Sequence, residues 1–259
     1  SAVDIRESWN GGFVLFCFIA TFLSITGVTV LSFFVVKREE RGEFVQGAYR
    51  SSAAILGIAF IQNIYGTAGM APLMIIGTVP LYNAFAVIVL SLLKPGQRKM
   101  DKALLQKTLK GIVTNPIILG IAAGFVWAIL KIPQPEILQK TVKNMAVLAT
   151  PLGLMAMGAS FEGKKALGKL KPTLIASALK LVVLAAIFLP IAVWLGYRES
   201  ELVAILVMLG SATTVSSFVM ARNMGHEGVL TSSIVMVTTL CSAFTLTGWL
   251  FLLKTLGLV

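Results

Sequence analysis

The chain has 259 residues, 57% of them hydrophobic and only 13% charged, with a net charge of +11 at pH 7 and a mean hydropathy of +0.89. Soluble domains carry about 25% charged residues, so this composition excludes a water-coated globular domain. The apolar residues also come in long runs rather than at a helical or strand period, which points to transmembrane helices.

Uncharged runs set between charged connectors give eight expected spans, at about 11–36, 47–65, 69–93, 111–130, 144–160, 173–196, 202–221 and 228–253. Gly11 to Val36 alone, free of charge, exceeds the roughly 20 residues that cross a bilayer. Lys and Arg are unevenly shared between the two sets of connectors. The set containing 37–50, 94–110, 162–171 and 222–227 holds 15, and the other holds 6. Positive loops stay inside, so Val259 is expected outside the cytoplasm and residues 94–110 inside it. The positive charge then needs no nucleic acid, because loop bias and attraction to anionic membrane lipid account for it. Cys17 and Cys241 lie within spans and carry no redox signal.

A shift of 159 residues superimposes Ser52-Ala53 on Ser211-Ala212, Gly66 on Gly225 and Gly69 on Gly228. The same shift carries the run 11–36 onto 170–195 and the run 69–93 onto 228–252. Because 47–65 and 202–221 cross in opposite senses, the repeat is of inverted topology, an arrangement of many secondary transporters. The shift also places the spans 111–130 and 144–160 before residue 1. The expected parent therefore has five plus five helices, of which eight are present. Residues 1–100 form a first repeat lacking two helices, and 101–259 form the second.

Two spans stand apart in polarity. One carries Ser51, Ser52, Gly57, Gln62 and Asn63; its repeat mate carries Gly210, Ser211, Thr213, Thr214, Ser216 and Ser217. Either cluster alone is explained by close helix packing. At equivalent positions of an inverted repeat, the pair also fits helices that break near mid-span. Their positive N-terminal ends would then converge on an anion, and their carbonyl ends would suit a cation. The 11 Asp and Glu residues are read as confined to connectors and span edges, and Lys180 as the only formal charge well inside a span. Lys180 has two readings: snorkelling to the interface or a counter-charge for an anionic substrate. Pro80 should kink its helix, with Asn83 capping the freed backbone or facing a cavity. Asn115-Pro116 opens a span. His226 falls in a connector, and no metal or catalytic constellation is visible.

The segments Phe44-Val-Gln-Gly-Ala-Tyr-Arg-Ser-Ser52, Asn63-Ile-Tyr-Gly66, Pro80-Leu-Tyr-Asn83, Asn115-Pro116-Ile-Ile-Leu-Gly120, Pro151-Leu-Gly-Leu-Met-Ala-Met-Gly158 and Thr213-Thr-Val-Ser-Ser-Phe-Val-Met-Ala221 together resemble the auxin efflux carrier family, closest to its bacterial permease branch. The resemblance covers essentially the whole chain. It implies ten helices in an inverted repeat, a broken crossing helix in each half, and transport of small organic anions such as carboxylates. Two departures stand out: Ser52 where the family usually has Asn, and Ala59 and Ala212 where Pro usually marks the breaks.

The sequence thus reads as an all-α integral membrane protein, a helical bundle and not an enzyme. It is expected to move a small organic anion across the cytoplasmic (inner or plasma) membrane by alternating access; a channel-like facilitator or membrane receptor on the same scaffold is the alternative. Ser51, Ser52, Asn63, Asn83, Thr213, Thr214, Ser216, Ser217 and Lys180 are the expected substrate-binding residues. No cofactor or metal is expected, the coupling ion (H+ or Na+) is left open, and self-association would be as a homodimer.

Overall fold

In a computed structural model of the chain, the described residues are 9–96 and 135–259, with scattered residues between 106 and 127. The expected span 111–130 lies in large part outside them, and its Asn115-Pro116 opening entirely so. All the described elements are helical. Among the described residues, five helices are long and apolar enough to cross a membrane. They are α1 (Gly11–Val35), α4 (Ala71–Leu92), α5 (Glu136–Ala159), α6 (Leu170–Trp194) and α9 (Val229–Thr255). Asn10 starts α1 by accepting from the Phe13 amide at 3.0 Å, a side-chain cap on an otherwise unsatisfied donor. Helix α4 continues through Pro80.

Two expected spans are not single helices. The run 47–65 resolves into α2 (Arg41–Tyr49) and α3 (Ala53–Tyr65), and the run 202–221 into α7 (Glu199–Gly210) and α8 (Ser216–Asn223). The first interruption, Arg50–Ser52, lies near the start of the expected span rather than at its centre, so Ala59 sits inside unbroken helix. Neither interruption contains Pro. Both are rich in Ser and Thr, whose side chains compete with helical backbone bonding. The interruptions satisfy each other: Ser51 and Thr213 form an isolated antiparallel bridge, and the Ser52 amide donates to the Ala212 carbonyl at 3.0 Å. Away from water, freed backbone groups need such partners.

Helix α7 is the centre of the bundle. Leu202 through Gly210 are all buried, as expected of a helix apolar on every side, and α3, α4, α6 and α9 pack around it. Small residues let α2 approach closely: a Cβ at Gly47 would lie 2.6 Å from Ile234 Cδ1 of α9. Four glycines that the 159-residue shift pairs all adopt positive φ: Gly66 at 74° with Gly225 at 83°, and Gly69 at 47° with Gly228 at 78°.

Three expectations about charge need correction. Residues 37–50 are not a plain connector, because α2 occupies 41–49 and is almost wholly buried. Its Glu43 is 1% exposed and accepts from the Gly228 amide at 2.8 Å, the Thr231 amide at 2.9 Å and the Thr231 hydroxyl at 3.0 Å. A carboxylate therefore does sit inside the bundle, balanced by the positive first turn of α9. Nor is Lys180 the lone buried charge, since Arg50 is only 5% exposed. His226 lies in a connector as expected, but it is buried, with Nε2 2.9 Å from the Leu90 carbonyl.

Candidate functional site

The paired interruptions open on a cavity of about 180 Å³ lined by Arg50, Ser51, Ser52, Ala54, Val79, Tyr82, Asn83, Thr214 and Ser216. Helices α3 and α8 both begin here, at Ala53 and Ser216, and neither has a side-chain cap. Each start carries the positive end of its helix dipole; in α8 the Ser217 and Phe218 amides already donate to the Thr214 and Val215 carbonyls, both at 3.0 Å.

Arg50 is held at the edge of this space by groups that carry no charge. One guanidinium nitrogen donates to Asn83 Oδ1 at 2.5 Å, and the other contacts the Met220 sulfur. Among the described residues no carboxylate pairs with it. Asn83 is placed for this by α4, where its Nδ2 donates back to the Val79 carbonyl at 3.1 Å. Tyr82, beside it, lies 3.2 Å from the Ser51 hydroxyl and donates to the Met208 carbonyl at 3.0 Å. The Tyr49 hydroxyl in turn donates to the Tyr82 carbonyl at 3.3 Å.

The structure brings five of the nine expected residues to the cavity: Ser51, Ser52, Asn83, Thr214 and Ser216. Thr214 and Ser216 are joined hydroxyl to hydroxyl at 3.2 Å. Thr213 is turned away from the cavity. Its hydroxyl donates to the Gly47 carbonyl at 2.7 Å and its amide to the Thr238 hydroxyl at 3.1 Å. Ser217 is buried with its hydroxyl unpartnered and is not among the residues lining the cavity. Asn63 is exposed near the far end of α3, eleven residues from Ser52, or about 16 Å along a helix. Lys180 is fully buried and bonds the Leu209 carbonyl at 2.6 Å and the Met208 carbonyl at 3.4 Å, away from the cavity lining.

Sequence reasoning missed Arg50 and Tyr82. Arg50 was counted with the basic loop preceding it. Tyr82 lies inside Pro80-Leu-Tyr-Asn83, where the proline drew the attention. The available signal was an arginine directly against a Ser-Ser pair at the start of an apolar run.

Among the described residues no group of three or more His, Cys, Asp or Glu side chains is placed to hold a metal. The residues at the cavity instead offer cationic and hydroxyl donors with two uncapped helix starts, a set suited to an anion. Comparison with curated proteins yields no match. A family model described as membrane transport protein matches residues 7–250. With five membrane-length apolar helices among the described residues, the chain is a multi-pass member of the membrane transport protein family, that of the auxin efflux carriers.

Proposed function

We propose that the protein is a secondary transporter that binds a small organic anion, such as a carboxylate, in the cavity between the two helix breaks and moves it by alternating access. The observation that carries this reading is Arg50: a guanidinium 5% exposed, bonded among the described residues to a neutral amide oxygen and a thioether and to no carboxylate. A buried unpaired cation costs several kcal/mol after relaxation, and a bound anion removes that cost. The uncapped starts of α3 and α8 bring two positive dipole ends to the same space, and Ser52 and the Thr214–Ser216 pair add hydroxyl donors.

The scaffold on this reading is an inverted repeat. In its support, the 159-residue shift carries the bounds of α1, 11–35, onto those of α6, 170–194, and it pairs glycines that share the left-handed conformation. The Lys and Arg bias of the connectors supports an orientation in the cell membrane with residues 162–171 on the cytoplasmic side and Val259 outside. Uptake by proteoliposomes carrying the full-length protein, against a panel of small carboxylates, tests the function. Saturable uptake with counterflow, lost in Arg50→Met, is expected. Flux that is linear in concentration and indifferent to Arg50 would refute it.

A further inference from the structure

Lys180 is the one buried cation that the anion reading leaves without a role. It stands on α6 within a five-residue π-helical turn, Leu179–Val183; such turns are rare and concentrate at functional sites. The turn is tied to α9, whose Trp249 indole donates to the Leu181 carbonyl at 3.1 Å. Its effect is to deliver the ammonium to the C-terminal end of α7, where the helix stops at Gly210. The last carbonyls of a helix have no partner within it and carry the negative end of the dipole. In transporters built on broken helices, such carbonyl ends are where a coupling cation is held. Here Leu209 and Met208 offer their oxygens to Lys180 Nζ at 2.6 and 3.4 Å, and Tyr82 also donates to Met208. Lys180 is 0% exposed, and among the described residues no carboxylate pairs with it. Its charge is therefore met by carbonyl dipoles alone, as the charge of a bound alkali cation would be.

We propose that Lys180 is a tethered cation: its ammonium fills the carbonyl-lined site at the end of α7, so that the protein takes no sodium ion there. The site is a cation site of the broken helix, occupied covalently. Removing the side chain opens it to a small free cation, sodium or a short alkylammonium. With no carboxylate to hold the ion, binding in the opened site is weak and needs millimolar concentrations.

Thermal unfolding of the purified full-length protein tests this without reference to any transported substrate, so its outcome is separate from that of the transport reading. Melting is followed in choline chloride, sodium chloride and ethylammonium chloride at constant ionic strength. The wild type is expected to melt at the same temperature in all three. Lys180→Ala is expected to melt lower in choline and to regain roughly 3–6 °C at ten times the dissociation constant of sodium or ethylammonium, saturably. Lys180→Met, which fills the space with an uncharged chain of similar length, is expected to melt lower and to recover in neither salt. Saturable stabilisation of the wild type by sodium overturns the proposal by itself, whether or not Lys180→Ala folds. A folded Lys180→Ala that responds to neither cation, or a Lys180→Met that responds as strongly as Lys180→Ala, also overturns it.

Discussion

At the first interruption, Arg50–Ser52, the guanidinium and the Ser52 hydroxyl line open space, while the Ser51 hydroxyl is engaged by Tyr82. At the second, Ser211–Val215, the Thr213 hydroxyl and amide are bonded to Gly47 and Thr238, and the carbonyl end of α7 is covered by Lys180. The backbones are alike: each breaks a helix, and each supplies one strand of the Ser51–Thr213 bridge. The side chains divide the work between them. The first break keeps the Arg50 guanidinium and the Ser52 hydroxyl for a ligand, while the second lends Thr214 to the cavity and uses Thr213 and the carbonyl end of α7 to hold the crossing together. Broken helices of similar appearance can therefore serve as binding surface or as scaffold, and what separates them is which polar atoms already have protein partners.

The sharpest way to break this contrast is at Arg50. Arg50→Met removes the cation that a buried anion would pair with, and losing one member of such a pair costs about 2–5 kcal/mol. At 1.4 kcal/mol per tenfold, carboxylate affinity should fall on the order of 30- to 4,000-fold. The variant itself should melt no lower than the wild type, because the unpaired charge goes with it. Equilibrium binding and melting on the same preparation check both halves.

The hydroxyls refine the contrast. Ser52→Ala should weaken binding by about 1.5–3 kcal/mol, the range for a bond to a charged group, or roughly 10- to 150-fold. Thr213→Val should leave affinity within about twofold and instead lower stability by about 0.6 kcal/mol or somewhat more, the scale of an interhelical hydrogen bond in a membrane. Equal losses of affinity in the two variants would erase the distinction between the breaks.

Glu43→Gln probes the scaffold alone. It converts a carboxylate accepting three hydrogen bonds at the start of α9 into a neutral amide, at a cost of about 1.5–3 kcal/mol of stability. Binding affinity should be unchanged.

The smallest effect is expected at the loop end of the bundle, where Glu227 meets Lys169 and lies 3.8 Å from Lys165. The hydrogen bond from Lys169, reinforced by nearby positive charge, holds the Glu227 carboxyl below the usual range. A carboxylate whose folded pKa is depressed contributes stability above its unfolded value, about 4.3, and loses it as pH falls through the lower folded value. Glu227→Gln should therefore flatten a shallow acid-side decline below about pH 4.3 and leave melting at pH 7 nearly unchanged, the side chain being 46% exposed.

Helices α1, α4, α6 and α9 were legible in the sequence to within a few residues, because uncharged runs of membrane length have few other uses. The clusters of Ser and Thr likewise marked both interruptions. Helix α2 was not legible. Its Glu43, and Arg50 just beyond its end, look like loop charges to any reading by hydropathy, and their partners lie far along the chain, Glu43 with Gly228 and Thr231, Arg50 with Asn83 and Met220. A charge satisfied by a distant partner leaves no local signature. The same holds for Thr213, whose residue type fits the cavity but whose hydroxyl is engaged by Gly47, 166 residues away. Asn63 was drawn in by its place in a polar stretch, yet helical rise carries it away from the crossing.

The account's central claim is that an anion sits against Arg50 between the two breaks. Locating a bromine-substituted carboxylate that does not alkylate protein, such as 4-bromobenzoate, by anomalous diffraction from crystals of the full-length protein tests it most directly. The account predicts a bromine peak inside the cavity, with the carboxylate in contact with the Arg50 guanidinium and the Ser52 hydroxyl. A peak beside Lys180, or an empty cavity with 4-bromobenzoate bound elsewhere in the bundle, would contradict it.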